Sequence, residues 1–182
     1  GVDSLGRYNF STSVISYFIL LAGLGISTYA IREGAKIRED KEDFEHFVNQ
    51  MFTVNIISTT ISYVLLLLLM LMVGKFRDYW DILAVLSIQI VFTTIGVDWL
   101  YSVYEDYLYI TIRSIAFQAL SILALFIFVK ETDDIVPYAL ISVLANAGSG
   151  ILNFIRSKKY CHIRLVRIID WKKHLKPILV LF

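Results

Sequence analysis

The stretch VLLLLLMLMV, residues 64–73, indicates the solvent in which this chain folds. Ten consecutive apolar residues cover every face of a helix of almost three turns. A surface helix of a soluble bundle keeps a polar face toward water, whereas a helix that is apolar all round is buried or spans a membrane. This stretch therefore favours a membrane protein over a soluble helical bundle.

Long uncharged runs continue on both sides of this stretch. Apolar residues form 57% of the 182 residues, and the mean hydropathy is +0.66. A helix of about 20 residues crosses a bilayer core of about 30 Å. Runs without a charged residue or histidine cover 8–31, 47–74, 82–97, 114–129 and 135–155, and the two shortest reach this length with a few flanking residues. The sequence predicts an all-α, integral membrane, multi-span helical bundle with five complete spans at about 10–30, 51–73, 82–100, 107–129 and 135–155, and the start of a sixth at 177–182.

The two ends of the chain suggest a piece of a larger protein. The chain starts at Gly1 rather than at a methionine, and it stops within the apolar run PILVLF (177–182). We therefore expect residues 1–182 to be a fragment of a larger transmembrane domain.

The distribution of Lys and Arg predicts the orientation in the membrane. Cytoplasmic connections retain positive charge. Thirteen of the 17 Lys and Arg residues fall in the connections after spans one, three and five, and eight of them lie in 156–176. We expect 31–47 and 156–176 to be cytoplasmic, and 74–81 and 130–134 to be outside. The basic segment 156–176 is typical of an anchor along anionic lipid and requires no nucleic acid.

Residues that would support catalysis are missing from the spans. The three histidines lie in connections without metal-ligand spacing, Cys161 is the lone cysteine, and the net charge is only +1. We therefore predict no enzyme activity, no metal and no cofactor.

Three smaller features predict local structure. The segment 31–47 is typical of an interfacial amphipathic helix, with Ile37, Phe44 and Val48 on one face. Small residues in GLGIS (23–27) and ANAGSG (145–150) favour close helix packing. The alternative for the second stretch is a local helix break that lines a cavity. Pro137 fits the first turn of span five, with Asp133 or Asp134 as its cap.

The stretch DWLYSVYEDYLYITIRS (98–114) contains the candidate functional residues. Charged groups at membrane depth are costly and usually face a bundle interior or a cavity. Arg113 is the deepest of them; it either binds substrate or extends its side chain to the headgroups. Asp98 is either its partner or a hydrated helix end.

The aromatic residues of this stretch form either an interfacial belt or a stacking surface for sugar rings. We expect Glu105 and Asp106 to lie in solvent. The substrate-pathway candidates are Arg113, Asp98, Trp99, Tyr101, Tyr104 and Arg32.

Three segments resemble a known family. GRYNFSTSVISYFILLAGLGISTYAIREGAKIR (6–38), DWLYSVYEDYLYITIRS (98–114) and KKHLKPILVLF (172–182) are similar, in this order, to the Wzx-type flippases of O-antigen and capsular polysaccharide. The resemblance implies the N-terminal half of an inner-membrane transporter, with the remaining half as its partner. It also implies that the cargo is a lipid-linked oligosaccharide whose lipid carrier is undecaprenyl diphosphate. Other polysaccharide assembly proteins are implied as further partners.

Two alternatives remain open at this point. A multidrug or cation antiporter of the same superfamily would more naturally place carboxylates within its spans, whereas the deepest charge here is an arginine. A membrane enzyme of polysaccharide assembly, such as a polymerase, would be expected to have a large outer loop, and the predicted outer loops have about eight and five residues.

Overall fold

The computed structural model describes residues 2–131 and 134–182, and every regular element in this part of the chain is an α-helix. The helices are α1 (Val2–Gly23), α2 (Ile26–Ile37), α3 (Lys41–Met72), α4 (Gly74–Arg77), α5 (Trp80–Ile95), α6 (Asp98–Val103), α7 (Tyr107–Phe128), α8 (Ile135–Ala147), α9 (Gly150–Ser157) and α10 (Trp171–Leu181).

Five helical segments are long and apolar enough to cross a membrane. They are Asp3–Ile37, Lys41–Met72, Trp80–Val103, Tyr107–Phe128 and Ile135–Ser157. Three of these segments consist of two helices in line, namely α1 with α2, α5 with α6, and α8 with α9. The predicted all-α multi-span bundle is confirmed.

The predicted interfacial helix at 31–47 is wrong. A turn at 38–40 divides this segment between the end of α2 and the start of α3. The Asp40 carboxylate caps α3 by accepting the backbone N–H groups of Glu42 and Asp43 at 3.1 Å each. Phe44 and Val48 are fully buried, so their apolar face packs in the protein core rather than against lipid.

The core has two clusters stacked along the bundle. One cluster contains residues of α2, the first half of α3, α6 and α10. The other joins α1, the second half of α3, α5 and α8. Helix α7 packs on α8, and Ser121 is its one buried residue. The exposed apolar surface of α7 is therefore suited to contact with lipid or with further protein.

Three spans are interrupted at one level of the bundle. The interruptions lie at Leu24–Gly25, Gly96–Val97 and Gly148–Ser149. Leu24, Gly25 and Val97 adopt left-handed backbone angles, with φ of 44°, 69° and 40°. A β-branched residue such as Val97 seldom adopts a positive φ, which marks the second interruption as a strained position.

Side chains of α3 link two of these interruptions. Asn55 and Ser58 both donate to the backbone carbonyl of Ala22, at 3.0 and 2.5 Å, just before the first interruption. The hydroxyls of Thr59 and Thr94 meet at 2.7 Å, just before the second. The positions of these three α3 residues, within about 6 Å along the helix axis, place the two interruptions side by side.

The third interruption adjoins the second through a close glycine contact. A Cβ added at Gly150 would lie 2.4 Å from the carbonyl oxygen of Phe92. The predicted close packing of ANAGSG is therefore confirmed. A helix break is also present there, and its predicted place beside a cavity stays a prediction. GLGIS behaves in the same way, because a Cβ at Gly25 would lie 2.8 Å from the backbone nitrogen of Phe182.

The start of α8 agrees in part with the sequence. Pro137 lies in the first turn, as predicted. The Asp134 carboxylate accepts the backbone N–H groups of Lys130 and Glu131 at 3.0 Å each, and it makes no cap hydrogen bond to α8. Asp133 lies outside the described residues.

Candidate charged network between α6, α7 and α9

Asp98 and Arg113 form an ion pair between α6 and α7. Asp98 is the first residue of α6, directly after the strained Val97, and Arg113 lies almost two turns into α7. Arg113 Nη1 donates to Asp98 Oδ1 at 2.7 Å. The Arg113 side chain is 9% exposed and that of Asp98 is 59% exposed. Protein thus covers most of the guanidinium, while the carboxylate is accessible; whether Arg113 lies at the level of the headgroups stays a prediction.

Asn153 of α9 connects this pair to a second helix. Its side chain is fully buried, and its Nδ2 donates to Asp98 Oδ1 at 2.5 Å. The Tyr109 hydroxyl donates to Asn153 Oδ1 at 2.9 Å, and the Tyr101 hydroxyl donates to the Asn153 backbone carbonyl at 2.5 Å. One buried amide therefore fixes the relative positions of α6, α7 and α9.

A second ion pair lies beside the first. Arg156 Nη2 donates to Asp106 Oδ2 at 3.0 Å, and the Tyr160 hydroxyl donates to the same oxygen at 2.6 Å. The hydrogen bond from Tyr160, followed by that from Arg156, lowers the pKa of Asp106 below its ordinary value. Burial, followed by the hydrogen bond to Asp106, raises the pKa of Tyr160 to about 12. Asp106 is therefore a structural ion-pair partner, and the expectation that it lies in solvent is wrong.

Tyr109 brings the two arginines together. The Arg156 guanidinium carbon lies 3.9 Å from the centre of the Tyr109 ring, and that of Arg113 lies 5.8 Å from it. The negative face of an aromatic ring attracts cations, and arginine stacks well on such faces. Two guanidiniums are thus concentrated beside one ring, with a carboxylate paired to each.

The other aromatic residues of the stretch are placed inside the bundle. Trp99 is 4% exposed and Tyr101 is fully buried, so the interpretation of these two rings as an interfacial belt is wrong. Tyr104 stacks on Tyr160 with ring centres 4.3 Å apart. Tyr107 is 59% exposed and remains compatible with a belt position. In this conformation protein covers Trp99 and Tyr101, and a role for them in sugar stacking stays a prediction.

Arg32 and Glu105 lie outside the network. Arg32 Nε donates to its neighbour Glu33 at 3.0 Å, and the described contacts do not join it to Asp98 or Arg113. Glu105 is largely exposed, as expected, and accepts a hydrogen bond from Arg38 at 3.1 Å. The role of Arg32 in a substrate pathway remains a prediction.

The sequence prediction missed Asn153 and Arg156, two network residues on α9. They lie 40 or more residues beyond Asp98 and Arg113, so no local pattern relates them. Two signals were available in the sequence: Asn153 is a polar residue near the end of an apolar span, and Arg156 is the first cation after that span. No group of three or more potential metal ligands occurs among the described residues, and the network is a set of ion pairs and hydrogen bonds.

The fold and this network describe a multi-span membrane protein with two arginine–aspartate ion pairs at one end of its spans, of which the Arg113 side chain is the buried member. Comparison with known proteins gives the family. A family model described as polysaccharide biosynthesis protein matches residues 1–180, and the chain belongs to this family of membrane transporters. Neither the curated proteins nor the solved structures contain a match.

Proposed function

We propose that this chain is part of a flippase that moves undecaprenyl-diphosphate-linked oligosaccharide repeat units from the cytoplasmic to the outer leaflet of the inner membrane, for O-antigen or capsule assembly. Membership of the polysaccharide biosynthesis family supports the transport class. The observation that carries the proposal on this chain is the buried guanidinium of Arg113, paired with the accessible carboxylate of Asp98.

The chemistry of a diphosphate suits this guanidinium. Arginine stays charged when it is desolvated, and its planar fork donates two parallel hydrogen bonds to phosphate oxygens. Nη1 donates to Asp98, while the buried Nε has no hydrogen-bond partner among the described residues. Arg113 therefore retains donor capacity for an incoming anion.

Asp98 acts in this proposal as the resident anion. In the unloaded protein it compensates the charge of Arg113, which would be costly to leave unpaired at this depth. A diphosphate that approaches from the exposed side of Asp98 replaces the carboxylate as the partner of Arg113. Exchange of one anion for another keeps the cation paired throughout the cycle.

The experiment is glycan export by the full-length protein in cells, normalised to its abundance in the membrane. We expect Arg113→Ala to reduce export roughly tenfold to a hundredfold, because a charge-assisted hydrogen bond is worth about 1.5–3 kcal/mol. Arg113→Lys should retain only part of the parental export, since an ammonium group cannot donate two parallel hydrogen bonds to a phosphate. The matched control is Arg7→Ala, which removes another arginine–aspartate pair, to Asp81 at 3.3 Å, and should export like the parent.

A double variant separates stability from transport. Asp98→Ala leaves Arg113 unpaired and should lower membrane abundance, whereas Asp98→Ala with Arg113→Ala removes both charges and should restore abundance without restoring export. Export at the parental level by Arg113→Gln, or by the double variant, would exclude this role of Arg113.

A further inference from the structure

The connection between α9 and α10, residues 158–170, runs along the first half of α3, and we name it the basic strap. Side chains of α3 accept hydrogen bonds from its backbone N–H groups. The pairs are His162 to Glu45 at 3.1 Å, Arg164 to Asn49 at 2.7 Å and Val166 to Thr53 at 3.0 Å. The three acceptors are four residues apart and therefore lie on one face of α3. This ladder fixes the course of the strap.

The ladder also gives the depth of the strap. Glu45 is the last acidic residue before the uncharged run 47–74, and Thr53 lies inside that run. Eight residues of helix correspond to about 12 Å. The strap thus passes from the charged end of α3 to the level at which the helix becomes apolar, and Asp170 N–H then returns to Gln50 Oε1 at 2.8 Å. This level is where a membrane boundary is expected on α3.

The deepest part of the strap presents apolar and basic side chains outward. Leu165 is 64% exposed and Ile168 is 85% exposed. Arg164 and Arg167 are exposed beside them, and neither has an ion-pair partner among the described residues. Exposed apolar side chains with flanking arginines are the composition of an interfacial segment.

The charge of the strap and of α10 is not compensated within the described part of the chain. The acid in 158–176 is Asp170, whose carboxylate accepts the backbone N–H of Lys173 at 3.2 Å. Arg156, just before the strap, is by contrast paired with Asp106. The cations without an ion pair are Lys158, Lys159, Arg164, Arg167, Lys172, Lys173 and Lys176. The charge of this surface is therefore complementary to an anionic partner.

We propose that the basic strap binds the anionic phospholipid headgroups of the adjoining leaflet, with Leu165 and Ile168 entering the boundary of the acyl chains. Headgroup phosphates supply the missing negative charge, and attraction between basic segments and anionic lipid adds with each Lys or Arg near the surface. Leu165 and Ile168 favour a membrane over a soluble anion as the partner, because a soluble anion would leave these apolar side chains in water. This binding does not depend on the identity of the transported substrate.

The first test is thermal unfolding of the full-length protein in neutral detergent micelles with added phosphatidylglycerol or phosphatidylcholine. We expect phosphatidylglycerol to raise the Tm of the parent, and Arg164→Gln with Arg167→Gln to need roughly tenfold more of this lipid for half of the rise. The matched control is Lys75→Gln with Lys130→Gln, which removes two cations elsewhere and should respond like the parent. An unchanged lipid response of the strap variant, or an equal response to soluble glycerol phosphate, would overturn the proposal.

The second test measures insertion. Ile168→Cys, in a Cys161→Ala background, is labelled with an environment-sensitive fluorophore and reconstituted into vesicles that contain brominated lipid. We expect quenching that is stronger with phosphatidylglycerol than with phosphatidylcholine alone and that weakens at high salt, since screening reduces attraction to the surface. Absence of quenching in both lipids would show that the strap stays in water and would contradict the proposal.

Discussion

Asn153 Nδ2 and Arg113 Nη1 donate to the same oxygen of Asp98, at 2.5 and 2.7 Å. The carboxylate of α6 is thus shared between a cation of α7 and a neutral amide of α9. Because Asn153 is fully buried and its amide oxygen also accepts a hydrogen bond from Tyr109, it fixes the position of the Asp98 carboxylate relative to α7 and α9.

Replacement of this amide should affect stability. We expect Asn153→Leu to lower the free energy of unfolding by about 1–3 kcal/mol, because Tyr109 and Asp98 lose hydrogen-bond partners near the core. The measurement is thermal unfolding in detergent. Asn146→Leu is the matched control, because the Asn146 side chain is exposed and, among the described residues, bonds only to the backbone of its own helix. Equal unfolding of both variants would show that the Asn153 amide contributes no net stability.

The pKa of Asp106 predicts acid sensitivity. A folded-state pKa below the unfolded value means that the pair with Tyr160 and Arg156 stabilises the protein above the unfolded pKa of about 3.9. This contribution is lost as pH falls through the lower, folded-state pKa. We expect the stability of the parent to fall more steeply than that of Asp106→Asn between about pH 5 and pH 3. Parallel pH profiles for the two proteins would contradict the assignment.

Gly150 should tolerate no side chain. A Cβ at this position would lie 2.4 Å from the Phe92 carbonyl oxygen, so Gly150→Ala must separate α9 from α5, and overpacking of this kind costs about 1–3 kcal/mol. The control is Gly6→Ala, where a Cβ has no neighbour within 4 Å among the described residues and where alanine favours the helix. The Tm should fall for the first variant and stay or rise for the second. A similar Tm for both would mean that α5 and α9 separate without cost.

The orientation can be tested by labelling single cysteines. In a Cys161→Ala background, we expect Lys41→Cys to react with an impermeant maleimide only after the cells are opened. Lys75→Cys, in the predicted outer connection, should react in intact cells. The opposite pattern would reverse the predicted topology and place the charged network on the outer side.

Composition was sufficient to predict the five spans, because length and hydropathy determine which segments can cross a bilayer. The pairing of Asp98 with Arg113 also followed from local reasoning, since both lie around one tight turn. The interruption at Val97 was not predictable, because valine carries no turn signal and its positive φ is imposed by surrounding packing. The place of Asn153 and Arg156 in the charged network was not predicted for another reason. Their partners lie about 50 residues away, and a single sequence does not show which faces of two helices meet.

The segment 31–47 shows how the same pattern supports two structures. Apolar residues at helical spacing beside many charges fit a helix lying on lipid, and they fit equally a hairpin whose apolar side packs on protein. Phe44 decides between them, since it is fully buried and its ring contacts Tyr104 with centres 5.3 Å apart. The spacing of apolar residues along a sequence does not show tertiary contacts of this kind.

The interruption at Val97 has a mechanical consequence for the charged network. Asp98 begins the short helix beyond the interruption, whereas Arg113 lies on α7, which is continuous from Tyr107 to Phe128. Any tilt of α6 about Val97 therefore changes the 2.7 Å distance between the carboxylate and the guanidinium. The ion pair therefore couples the placement of α6 to that of α7. In the proposed exchange of anions, release of Asp98 by Arg113 would leave α6 without this link to α7.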